Sequence, residues 1–138
     1  MTPSHATRKV ETLSVLRRPA YTVARLRGEL DLATAPSLRE RLSAVPRTDT
    51  RLLILDLAAV SFCDATGLTV LTSVRRRASV LGVALVVAAP CPQLTKLLHA
   101  TGLERDFTVR ATVADALAWP LTRHAAVRPS CAKASVLR

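Results

Sequence analysis

Two rhythms of apolar positions organise the chain. Across Ala20–Gly28 every second residue turns the same way, with Ala24 and Leu26 on one side and Arg25 and Arg27 on the other. That is the period of a half-buried strand. A preceding strand at Val10–Leu16, ended by Arg17-Arg18-Pro19, is expected to pair with it as an antiparallel hairpin. The rhythm then lengthens. Leu38, Leu42 and Val45 fall at helical spacing behind Thr34 as N-cap and Pro36 in the first turn, and Pro46 closes the segment. Leu52-Leu53-Ile54-Leu55 is an unbroken apolar run, as a central strand covered on both faces requires. Leu68, Leu71, Val74, Ala78 and Leu81 return to helical spacing, with Arg75-Arg76-Arg77 on the more solvated side and Gly82 at the end. Val83–Ala89 reads as a second buried strand, so that strand, helix and strand form a parallel crossover. Pro92 opens a short helix bearing Leu94, Leu97 and Leu98 and ending at Gly102. A brief strand is expected near Phe107–Val109. Thr112-Val113-Ala114-Asp115 has the form of a capping box, starting a last helix that Pro120 stops.

The 138 residues suit one domain, long enough to bury a core without a disulfide or a metal. An apolar content of 49% excludes a wholly disordered chain. The formal charge of +10 is uneven. Residues 1–20 carry four basic groups and one acidic, and residues 120–138 carry four basic and none acidic, so seven of the ten excess charges sit at the ends. Beyond about Thr122 the chain has no periodicity and reads as a disordered, solvated tail. Four aromatic side chains leave little for stacking on bases, so nucleic-acid binding through the basic ends is the lesser alternative. The longest uncharged stretch, Ala78–Thr95, is broken by Gly82, Pro90 and Pro92, so no membrane span is expected. The start MTPSHATRKVET lacks the apolar run of a secretory signal, which points to the cytoplasm.

The chemistry of an enzyme is hard to find. Four glycines, at 28, 67, 82 and 102, cannot build a dinucleotide fingerprint or a phosphate-cradling loop, and no cofactor is implied. Cys63, Cys91 and Cys131 are widely spaced without C-x-x-C, and His5, His99 and His124 are as scattered, so no metal site is expected. An enzyme acting through Cys63 ranks last among the readings.

One segment is chemically distinct: Asp64-Ala65-Thr66-Gly67-Leu68, where a buried strand gives way to a helix. Free backbone N–H groups and the positive end of the helix dipole emerge there. Asp64 is placed to cap them, and Thr66 presents a hydroxyl where an added phosphate would meet those same amides. Plain N-capping, with no further role, accounts for the same residues.

The segment VSFCDATGLTVL resembles the D-[ST]-[ST]-G-L signature of STAS domains, in particular the bacterial anti-sigma-factor antagonists. Arg27-Gly28-Glu29-Leu30-Asp31 is similar to the family's G-E-L-D, Leu52–Asp56 to its central strand, and Pro92–Gly102-Leu103 to its third helix and following turn. The resemblance implies an α/β fold, a STAS-like single domain with a mixed four- to five-stranded sheet and about four helices. It would occupy residues 8–120, between an N-terminal arm at 1–7 and a basic tail at 121–138. It further implies an anti-sigma-factor antagonist that binds an anti-sigma factor when unphosphorylated and so frees a sigma factor for transcription. In the family that anti-sigma factor is also a serine/threonine kinase, which binds ATP and phosphorylates the hydroxyl residue before the glycine. By position this is Thr66, bordered by Asp31 and Asp64 and flanked by Ala65, Gly67 and Leu68. A phosphatase would restore binding. The chain departs from the pattern in three places. Ala65 stands where a second hydroxyl is common, Thr66 where Ser is more usual, and the basic ends are additional. A STAS module that binds a partner without being switched is the related alternative.

Overall fold

The computed structural model describes residues 12–118. The expectations for the arm at 1–7, the tail at 121–138 and the stop at Pro120 fall outside them. Five strands form one mixed sheet in the order of the chain. β1 (Thr12–Arg17) pairs antiparallel with β2 (Thr22–Leu30), and β2, β3 (Leu52–Cys63), β4 (Ala84–Ala88) and β5 (Thr108–Arg110) run parallel to one another. Parallel neighbours need crossovers. These are the helices α1 (Ala35–Ser43), α2 (Ala65–Leu81) and α3 (Pro92–Thr101), the last followed by a single 3₁₀ turn at Leu103–Arg105. A fourth helical segment, α4, begins at residue 113, where the Thr112 hydroxyl accepts from the Asp115 N–H at 3.0 Å.

Alternation along the strands divides the apolar side chains between two faces. Ala24, Leu26, Leu53, Leu55 and Val87 join Leu38 and Leu42 of α1, Leu71 and Val74 of α2 and Leu94 of α3 in the larger core. Val23, Leu52, Ile54 and Val86 face the other way and meet Ala116 of α4. The run Leu52–Leu55 is therefore buried on both faces, as its lack of alternation requires. Fully burying each of these leucines contributes about 1.5–3 kcal/mol.

β3 does not stop after its apolar run. It continues to Cys63, and two extra residues on its side shift the pairing with β2 between Arg25 and Arg27 and again between Gly28 and Glu29. Polar bonds stitch both irregularities. At the first, Asp56 receives the Arg25 Nε–H at 3.0 Å and the Ala58 N–H at 3.1 Å. At the second, the Ser61 hydroxyl donates to the Gly28 carbonyl at 3.2 Å. Gly28 takes φ 107° there, a conformation that side chains resist. The bulges carry β2 and β3 on to a common end, Leu30 beside Cys63. That end is where the chemistry gathers.

Candidate functional site

Because Leu30 and Cys63 are partners on adjacent parallel strands, the residues that follow them, Asp31 and Asp64, leave the sheet side by side. The Asp64 N–H donates back to the Leu30 carbonyl at 3.2 Å, tying the two exits together. Gly67 makes this possible. A Cβ at that position would lie 2.7 Å from Leu30 Cβ, 2.8 Å from Cys63 Sγ and 2.9 Å from the Leu30 oxygen. Only a residue without a side chain lets the first turn of α2 settle on the end of β2.

Asp64 is the N-cap of α2. Its Oδ1 accepts the N–H of Thr66 at 2.9 Å and of Gly67 at 3.2 Å. Asp64 thus caps these amides as expected, and they do not stand open to a phosphate on Thr66. Thr66 itself is half-buried, and its hydroxyl has no hydrogen-bond partner among the described residues. The reason is positional. Thr69, Thr72 and Ser73 donate to the carbonyls of Ala65, Leu68 and Thr69 one turn back, at 2.9, 2.9 and 3.2 Å. For Thr66 the residue four back is Phe62, still in β3, so no helical carbonyl is in place to receive it.

At the neighbouring exit Thr34 takes the N-cap position of α1, as expected, but makes no side-chain cap bond. Asp31 closes the turn instead, its Oδ1 accepting from the Ala33 N–H at 3.0 Å and the Thr34 N–H at 3.1 Å. The Thr34 hydroxyl is buried and donates to the Glu29 carbonyl at 2.8 Å. Of the remaining candidate residues, Ala65 is exposed, whereas Gly67 and Leu68 are buried against the core. The latter two position the turn and present no surface.

Between α1 and α2 lies an open cleft of ≈ 360 Å³ whose walls include Leu32, Pro36, Arg39, Thr66, Thr69 and Val70. Leu32, 75% exposed, forms an apolar rim. Arg39 is the only charged side chain among the described residues lining it, and it has no ion pair or hydrogen bond among those residues. Sequence reasoning missed Arg39, because an exposed arginine on a helix gives no local sign of what it faces. Cys63, in contrast, is chemically quiet. Burial, reinforced by Cys91 and Asp64, pushes its thiol up to about 12, which keeps it protonated and poorly nucleophilic. No helix among the described residues is long and apolar enough to cross a membrane.

The STAS domain family model matches residues 12–116. The chain belongs to the STAS domain family. This STAS domain is 30% identical over 106 residues to the anti-sigma-F factor antagonist RsfB of Mycobacterium tuberculosis, covering 77% of this chain and 86% of that protein. It superposes on the crystal structure of an anti-sigma factor antagonist from Mycobacterium paratuberculosis with a TM-score of 0.68 at 29% identity, over 79% of this chain and 92% of the other. SpoIIAA, an anti-sigma factor antagonist solved in its unphosphorylated form, shares the fold with a TM-score of 0.64 at 20% identity, over 86% of this chain and 100% of the other. The five-stranded mixed sheet with its helices is the STAS architecture that the motifs at 27–31 and 60–71 imply.

Proposed function

We propose that this STAS domain is an anti-sigma factor antagonist that docks on an anti-sigma factor through the surface around Thr66 and is switched off by phosphorylation there. The observation that carries the reading is the untethered Thr66 hydroxyl at the open mouth of α2. The names of the relatives from the two mycobacteria support the partner class. In the switching step the anti-sigma factor acts as a serine/threonine kinase and holds ATP itself. Thr66 Oγ1 forms a bond to the γ-phosphorus, the bond to ADP breaks, and the hydroxyl proton passes to a base of the kinase. The STAS domain contributes the acceptor and no catalytic group. The product carries about −1.5 to −2 additional charge beside Asp64 and Asp31. Repulsion and desolvation then weaken the docked complex without refolding, and a phosphatase reverses the step by hydrolysis. The cycle belongs to the cytoplasm, where sigma factors and ATP are found.

The test is to incubate the protein with kinase-type anti-sigma factors and ATP and to map the phosphate by mass spectrometry. One phosphate on Thr66, lost in Thr66→Ala, is expected. Thr66→Glu is expected to bind the partner at least about tenfold more weakly than Thr66→Ala, a difference of about 1.4 kcal/mol. Equal binding by the two variants, or undiminished labelling of Thr66→Ala, would overturn the reading.

A further inference from the structure

We propose that Arg39 is the internal counter-ion of the phosphoryl group on Thr66, seating it in the cleft between α1 and α2; the inference rests on the phosphorylation of Thr66 proposed above. The nearest natural anion holders, the Thr66 and Gly67 amides, are occupied by Asp64 Oδ1 at 2.9 and 3.2 Å. A phosphate turning toward them would meet a carboxylate of its own sign. On its other side Thr66 faces the cleft, and the cation there is Arg39.

The arrangement is periodic. Ala35 and Arg39, four residues apart, share one face of α1, and Thr66, Thr69 and Val70 share the facing stripe of α2. No other arginine lines the cleft among the described residues. Arg41, two positions beyond Arg39, points away around the helix. Arg75 lies nine residues along α2, about 14 Å from Thr66, and its guanidinium sits over the Phe107 ring at 5.7 Å. Arg39 has no ion pair among the described residues, so taking up a phosphate breaks no existing contact. Its planar fork of donors suits two phosphate oxygens at once.

The consequence is a double change at one surface. Phosphorylation adds an anion and withdraws the cleft's cation from any acidic group of a docking partner. It also fills a space next to the apolar rim at Leu32.

The experiment uses the full chain with phosphothreonine incorporated at position 66 during synthesis, so that it does not depend on any kinase. The second ionisation of the phosphate is followed by ³¹P NMR against pH. Because the Asp64 and Asp31 carboxylates oppose Arg39, the readout is the difference between proteins: Arg39→Ala should raise the value by about half a unit over the parent's, the modest size reflecting solvent screening. Arg39→Lys should restore part of the shift. Unchanged amide spectra of the unphosphorylated Arg39→Ala protein would show that the fold is intact. Coincident titration curves for the parent and Arg39→Ala overturn the proposal. So does a variant that loses affinity for the anti-sigma factor while its phosphate titrates like the parent's, since Arg39 would then serve the partner alone. If kinases leave Thr66 untouched, the proposed function fails while this titration is still readable.

Discussion

Two strand-to-helix junctions lie side by side in this STAS domain, and they are built from the same parts to opposite effect. Each has an aspartate directly after a parallel strand and a threonine shortly beyond it, Asp31 with Thr34 and Asp64 with Thr66. In both, the aspartate accepts two backbone N–H groups. The threonines differ. Thr34 lies three residues on, turns inward, accepts from the Asp31 N–H at 3.1 Å and donates to Glu29 at 2.8 Å. Thr66 lies two residues on, inside the first turn of its helix, and keeps its hydroxyl free of partners among the described residues. One residue of spacing separates a structural hydroxyl from an available one.

The comparison can be pressed at several points. The largest effect is expected at Cys63, which occupies the place at the second exit that Leu30 holds at the first. With its thiol at about 12 against an ordinary 9.0, alkylation near pH 8 should run at least about thirtyfold more slowly in the folded protein than in denaturant, as peptide mapping after timed labelling would measure. The folded thiol keeps its proton where the unfolded one loses it. Stability should therefore fall as pH rises from about 9 to 12, and Cys63→Ser should flatten that slope. Equal labelling rates in both states would show the second exit to be far looser than described.

Next comes Gly67→Ala. Helix propensity favours alanine by about 1 kcal/mol. The new Cβ, however, would press on the Leu30 backbone oxygen at 2.9 Å, and such overpacking costs about 1–3 kcal/mol or more. A net loss of about 1–2 kcal/mol in urea unfolding is expected, and a gain would mean that α2 can lift off β2. The smallest effect sharpens the contrast most. Thr34→Val removes the donor to Glu29 and should cost about 1 kcal/mol, whereas Thr66→Val should stay within about 0.5 kcal/mol. Similar losses at the two sites would erase the distinction between them.

Much of this was legible in the chain because it is local. Alternation at Ala24–Arg27, the unbroken run at Leu52–Leu55 and the spacing of Leu68, Leu71 and Val74 each report the surroundings of their own segment. Asp64 could be read as a cap since its amide partners lie two and three residues away. What escaped depends on neighbours distant in sequence. The extension of β3 through Ala58, Ala59 and Ser61 runs over exposed positions and exists because a bulged partner strand pairs with it. That the Asp31 carboxylate and not the Thr34 hydroxyl binds amides of this turn follows from the Glu29 carbonyl drawing that hydroxyl inward. Arg39 gained meaning only when α1 was laid against α2. The family motif marked the residues of the turn, and the helix packed beside it supplied the charge.

The backward-donating hydroxyls of α2 have an outcome for selectivity. Thr69, Thr72 and Ser73 have their protons committed to carbonyls behind them, which dulls each as a nucleophile and turns its oxygen toward the helix. Under the phosphorylation proposed for Thr66, a transferase meeting these turns finds the neighbouring alcohols already engaged. Over the first three turns of α2 the backbone thus claims every hydroxyl but that of Thr66, which has no partner among the described residues.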